Sequence, residues 1–168
     1  MTPEAKSRLY LAIIALLVLV IAAMAYKFIV AGSTLPAADG RVIVVLEPGE
    51  RALLLREMRG FVAALQQISD ALARGDMQTV AQASRAMGTA AAHGVPVAML
   101  ARLPLGFKQL AFAVHGGFDV LAADADRGGT PTGALRQLGG ILGNCVACHA
   151  TYQVAAGMLA PPRLPEAR

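Results

Sequence analysis

The stretch Asn144-Cys145-Val146-Ala147-Cys148-His149-Ala150-Thr151-Tyr152 stands near the end of a 168-residue chain, and its reading sets the architecture around it. A Cys-x-x-Cys-His run reads as an attachment site for c-type haem. Two cysteines three residues apart on a helix present their sulfurs on one side, where each can form a thioether to a haem vinyl group. A histidine four residues after Cys145 lies on the same face, and its imidazole can ligate the iron. About one and a half turns of helix supply every group this chemistry needs. Three other readings share the pattern. A thioredoxin-like dithiol needs a βαβ setting, whereas the residues on both sides of this pair are helical in pattern. A structural zinc site takes four ligands, and the chain holds two cysteines, with His93 and His115 distant in sequence. A plain disulfide is compatible with an oxidising compartment.

Working outward, Thr130-Pro131 reads as the N-cap and first residue of a fourth helix reaching about Gly157. Its inward stripe is Leu135, Leu138, Leu142, Cys145, His149 and Tyr152, so a haem held there faces into the apolar core. A third helix is expected from Pro104 to about Arg127, with Phe107, Leu110, Val114, Phe118 and Leu121 inward and Gly128-Gly129 as its breaker. The second spans about Met77 to His93, with Met77, Val80, Ser84, Met87 and Ala91 inward, and ends at Gly94 and Pro96. Val97 to Leu103 is a turn of helix or a packed loop. The first runs from Glu50 to Gly75 on the stripe Leu54, Met58, Phe61, Leu65, Ile68 and Leu72, and Asp76 caps its successor. Four amphipathic helices with short breaks predict an all-α fold, a four-helix bundle over residues 50–157. Residues 158–168, with Pro161 and Pro162, read as a disordered tail.

Residues 32–49 are expected to be a linker and extended segment. Gly32 to Gly40 has linker chemistry. The β-branched run Arg41-Val42-Ile43-Val44-Val45-Leu46 suits a strand, but no partner strand is apparent, so it is expected to pack as an isolated extended segment. Residues 1–31 read as an N-terminal signal anchor or transmembrane helix. Leu9 to Tyr26 contains no charge, and the apolar character resumes after Lys27; ~20 such residues cover a ~30 Å hydrocarbon core. Lys6, Arg8 and the amino terminus precede the span while Lys27 follows it, which points the N-terminus to the cytoplasm. The domain then lies outside, in the periplasm of a bacterium if the span is in the inner membrane. Cleavage near Ala23-Met24-Ala25 would instead release it as a soluble periplasmic protein.

The net charge of +4 gives no case for nucleic-acid binding. Lys6, Arg8 and Lys27 belong to the anchor, leaving twelve basic against ten acidic residues from Gly32 onward, with no basic stripe. No nucleophile-base pair and no distal acid-base group can be assigned, so the chain is read as a non-enzyme.

With these features the chain resembles the class II cytochromes c, the cytochrome c′ group and its six-coordinate relatives. The likeness covers roughly Glu47 to Val154 and rests on the motif standing near the end of the last helix, Phe107-Lys108 opening the third, and Tyr152 three residues after His149. The chain departs from that family in its anchor and at Gln153, where a basic residue usually follows the tyrosine. The resemblance implies one covalent haem c on Cys145 and Cys148, with His149 as axial iron ligand. It also implies a sixth position facing the first helix, where Met58 is the candidate ligand; Leu54, Leu55 or Phe61 would cover the iron otherwise. His115 is a further candidate ligand, though a histidine so placed is more often a hydrogen-bonded or partly exposed residue. Arg51, one heptad before Met58, or else Arg56, could pair with a propionate; the default for both is a solvated arginine. One-electron transfer with redox partner proteins at the membrane is the leading expectation. The alternatives are a five-coordinate iron that binds nitric oxide or carbon monoxide, and an accessory haem subunit of a respiratory complex. A homodimer is compatible with each.

Overall fold

The computed structural model describes residues 3–157, which are mostly helical with one small sheet. The apolar N-terminal helix α1 (Pro3–Ala25) continues as a π-helical turn, Tyr26–Ala31. Together Ser7–Ala31 is long and apolar enough to cross a membrane, as a signal sequence near the N-terminus also can be, and none of it is buried against the rest of the chain. The strands β1 (Thr34–Pro36) and β2 (Val42–Leu46) follow, then α2 (Pro48–Ala73), α3 (Met77–Ala86), a 3-10 turn at Thr89–Gly94, α4 (Val97–Arg102), α5 (Leu105–Asp126), α6 (Pro131–Thr151) and β3 (Tyr152–Ala156). The tail expected from residue 158 lies outside the described residues.

The helix boundaries follow from local chemistry. Pro48 opens α2, and the Glu50 carboxylate accepts from the Glu47 backbone N–H at 2.8 Å, forming a reciprocal capping box. Gly75 turns the chain at φ +70, and Asp76 then caps α3 by accepting from Thr79 N–H at 3.0 Å. Thr130 caps α6 in the same way through Gly133 N–H at 3.1 Å, with Pro131 in the first turn. The second helix stops short of His93, at Ala86. A Cβ on Gly88 would meet the Asp119 carboxylate at 1.8 Å, and that carboxylate accepts from Thr89 N–H at 3.0 Å and its hydroxyl at 2.7 Å. The close approach of α5 restarts the chain as a 3-10 turn.

The run Val42–Leu46 does have partners, contrary to the expectation of an isolated segment. It is the central strand of a three-stranded sheet, antiparallel to β1 and parallel to β3. The fourth helix accordingly ends at Thr151 and not at Gly157: Tyr152 turns extended and residues 152–156 pair in register with 42–46. The supposed linker is structured too, since Thr34–Pro36 is β1 and Gly32 is buried.

α5 packs against both α3 and α6, and α2 packs against α3 while meeting α6 much more lightly. The buried apolar residues form two clusters. One, between the long helices, contains Ile68, Val80, Phe118, Leu121, Leu138 and Ile141. The other, beside the sheet, joins Val44, Leu46, Leu54, Met99, Leu103 and Phe107. The inward line of α6 is Ala134, Leu138, Ile141, Cys145, Cys148 and Tyr152, whereas Leu135, Leu142 and His149 of the expected stripe are exposed. Because α6 carries apolar residues on nearly every side, its larger leucines suggested a seam rotated from the one that packs.

Candidate functional site

The final turns of α6 carry the motif across the boundary between the two clusters. The Cys145 side chain packs on the inter-helix cluster, and Cys148, one turn later, packs on the sheet-side cluster. Both are free thiols and both are half-buried. Burial pushes both thiols above the ordinary cysteine range, with Cys145 adding to the effect at Cys148. A dithiol oxidoreductase needs the opposite, a thiolate stabilised by positive surroundings. His149 is exposed in the last turn of the helix. Among the described residues, no three His, Cys, Asp or Glu side chains close on a common point. The two sulfurs are half-buried on the inward line of α6 and the imidazole is exposed beside it, a set that offers two nucleophilic sulfurs and one nitrogen ligand at separate positions.

Tyr152 follows at the helix end, its ring edge-on to Phe107 with centroids 5.4 Å apart. Its hydroxyl lies against α5, since a Cβ on Gly106 would sit 2.6 Å from it. Burial raises the Tyr152 phenol above its usual range.

α2 contributes half-buried apolar residues to the same two clusters. Met58 and Leu53 are half-buried against the sheet-side cluster that also receives Cys148 and Tyr152. Phe61 and Leu65 are half-buried against the inter-helix cluster that receives Cys145. Met58 is thus brought to the same cluster as the second cysteine. Leu54 is buried and Leu55 half-buried; Arg51 is half-buried and Arg56 exposed on the same helix. Two open clefts of about 310 and 330 Å³ lie elsewhere, at the α5–α6 turn and along the outer α5–α6 groove that reaches Asn144.

Two sets of partners could not be read from the sequence. Arg41, in the turn between β1 and β2, donates from Nη2 to Gln153 Oε1 at 3.0 Å and from Nη1 to the His149 carbonyl at 3.5 Å. Asp39 accepts from its Nε at 2.8 Å, and Arg41 holds the Asp39 carboxyl below the usual carboxylate range. A guanidinium paired with Asp39 therefore stands beside the backbone of the motif's histidine, delivered by the hairpin and held by Gln153 itself. The parallel pairing of Ile43 with Gln153 creates that proximity, and no local pattern announces it.

The second is a buried polar pair. His115 is 4% exposed, with Nδ1 2.8 Å from the Met87 carbonyl and Nε2 3.2 Å from Glu57 Oε1. Phe61 packs on its ring, centroids 5.2 Å apart. His115 is thus hydrogen-bonded and buried, not partly exposed. The Glu57 hydrogen bond raises the imidazole above its ordinary value, helped by the Met87 carbonyl and opposed by burial. His93 is exposed in the last turn of the 3-10 segment.

No family model, no curated protein and no solved structure matches this chain.

Proposed function

We propose that the chain is a membrane-anchored c-type cytochrome, a four-helix bundle of α2, α3, α5 and α6 similar to the class II cytochromes c, that carries one covalent haem and transfers single electrons. The observation that supports it best is the seat of the Cys-x-x-Cys-His motif: both cysteines lie on the inward line of the last helix, where two apolar clusters meet, and the cluster that Cys148 packs on also takes Met58. Bound there, haem supplies a one-electron couple. Cys145 and Cys148 would fix its edge, His149 would hold the iron from α6, and Met58 would approach from α2. Leu54, Phe61 and Leu65 exclude water from that side. Arg51, or Arg56 in its place, would pair with a propionate. Arg41, although paired with Asp39, would place a guanidinium near the His149 end, where it would favour the reduced, less positive iron. The span at Ser7–Ala31 would tether the domain on the periplasmic side of a bacterial inner membrane, with its N-terminus in the cytoplasm, and so concentrate it near membrane redox partners.

A second reading follows from the apolar residues beside Met58. If Met58 stands off the iron, Leu54 and Phe61 leave a dry sixth position suited to nitric oxide or carbon monoxide. Optical spectra of the haem-loaded protein, ferric and ferrous, with and without carbon monoxide, separate the two. Low-spin bands with a sulfur-to-iron charge-transfer feature that disappears in Met58→Ala support electron transfer. High-spin bands and ready carbon monoxide binding, unchanged in Met58→Ala, overturn it in favour of gas binding.

A further inference from the structure

The apolar N-terminal helix does not reach the domain through a free linker. Gly32 N–H donates to the Lys27 carbonyl at 2.9 Å, and Ser33 N–H donates to the Arg102 carbonyl at 2.7 Å. Val45 N–H then donates to the Ser33 carbonyl at 2.8 Å, so the chain passes from helix end to sheet with its backbone already paired. Gly32 is buried at φ +64, and a Cβ there would collide with the Arg102 carbonyl oxygen and lie 2.7 Å from the Pro104 nitrogen. Only glycine combines that left-handed backbone with so close an approach. From the other side, Lys108 Nζ donates to the carbonyls of Phe28 and Ile29, each at 3.1 Å. These are end-of-helix acceptors with no later partner in the helix, and a cation suits their partial negative charge.

Lys108 thereby fixes which face of α5 is turned to the helix end. Leu105, Lys108 and Phe112 follow at intervals of three and four, which places them on one face. Leu105 is 37% and Phe112 54% exposed. Between Lys108 and Asp119 the only titratable side chain on α5 is His115, which is buried. A face with Leu105 and Phe112 on either side of a lysine, continuous with the end of a helix long enough to span a bilayer, has the chemistry of a lipid-contacting surface.

We propose that the domain is seated rigidly on the bilayer through the N-terminal face of α5, with Leu105 and Phe112 in contact with lipid and Lys27 and Lys108 at the headgroup level. This rests on the reading of the N-terminal helix as a retained span. It deepens the proposed function in one respect: Phe107, which carries the Tyr152 ring and shares a cluster with Cys148, is one turn or less from Leu105. The motif end of the domain is therefore the membrane-proximal end, and the span sets its height.

The chain contains no tryptophan, so a single introduced one reports its own surroundings. The full chain is reconstituted in phosphatidylcholine vesicles with and without brominated acyl chains, and emission is compared between the two. The ratio cancels any quenching internal to the protein. Leu105→Trp and Phe112→Trp are each expected to lose emission in brominated vesicles. Val62→Trp, at an exposed site of α2, is expected to keep it. Val18→Trp, in the span, checks the anchor separately. If Val18→Trp is quenched while either Leu105→Trp or Phe112→Trp is quenched no more than Val62→Trp, the seating is overturned and the anchor stands. If Val18→Trp is unquenched, the anchor reading is overturned, and the seating with it.

Discussion

Replacing Glu57 by glutamine tests the buried polar pair through its dependence on pH. Both ring nitrogens of His115 face acceptors, the Met87 carbonyl at 2.8 Å and the Glu57 carboxylate at 3.2 Å. An imidazole satisfies two acceptors only when it is protonated. Its folded-state value is raised above the ordinary one of 6.5, chiefly by the Glu57 hydrogen bond. The resulting stability is fully present below the unfolded-state value and is lost as pH rises through the folded one. Removing the carboxylate charge should therefore cost most at about pH 5.5, where ordinary carboxylates are ionised and ordinary imidazoles protonated. A hydrogen bond to a charged group is worth ~1.5–3 kcal/mol, and the glutamine oxygen still accepts, so a loss of roughly 1.5 kcal/mol is expected there. At about pH 9 the ring is neutral and presents a lone pair to position 57. The glutamine amide can donate to it and the carboxylate cannot, so the difference should vanish or change sign. The assay is guanidinium unfolding of both proteins in detergent, followed by helical circular dichroism across that pH range. A loss that is constant with pH, or that grows toward alkaline pH, would refute the ionised pair.

Gly32→Ala should destabilise the junction by at least about 1–2 kcal/mol, because an L-residue is strained at φ +64 and its Cβ would press on the Arg102 carbonyl. Limited proteolysis between residues 27 and 37 should report it as faster cutting, with the long helices still resistant. Arg41→Gln should change stability by less than about 1 kcal/mol, since its pair with Asp39 is largely exposed. In the haem-loaded protein it should lower the midpoint potential, read by spectroelectrochemical titration, because the cation beside His149 disfavours the oxidised iron; an unchanged potential would remove Arg41 from the site.

The helices were legible because their signals are local. Caps at Asp76 and Thr130, and breaks at Gly75 and Gly128, act within a turn, and they stand where the chemistry requires. The sheet was not legible, since β1 is only Thr34-Leu35-Pro36 and β3 is a run of Tyr152-Gln153-Val154-Ala155-Ala156 that continues directly from a helix. Its pairing with Val42–Leu46 joins segments about a hundred residues apart, and only tertiary contact selects it over another turn of helix. The rotation of α6 has a similar origin: Leu135 and Leu142 outweigh Ala134 and Ile141 in any hydrophobic count, yet the alanine fits the closely packed side. The motif could be read from five residues. Arg41 and the Glu57–His115 pair could not, because their partners lie on other elements.

The most direct measurement is haem staining of the denatured protein after expression with a c-type maturation system, with intact mass determined in parallel. The account predicts that the wild-type chain retains haem through denaturation and gains the mass of one haem, and that Cys145→Ser with Cys148→Ser abolishes both. A wild-type chain that stays unstained, at its unmodified mass and with two free thiols, would contradict it.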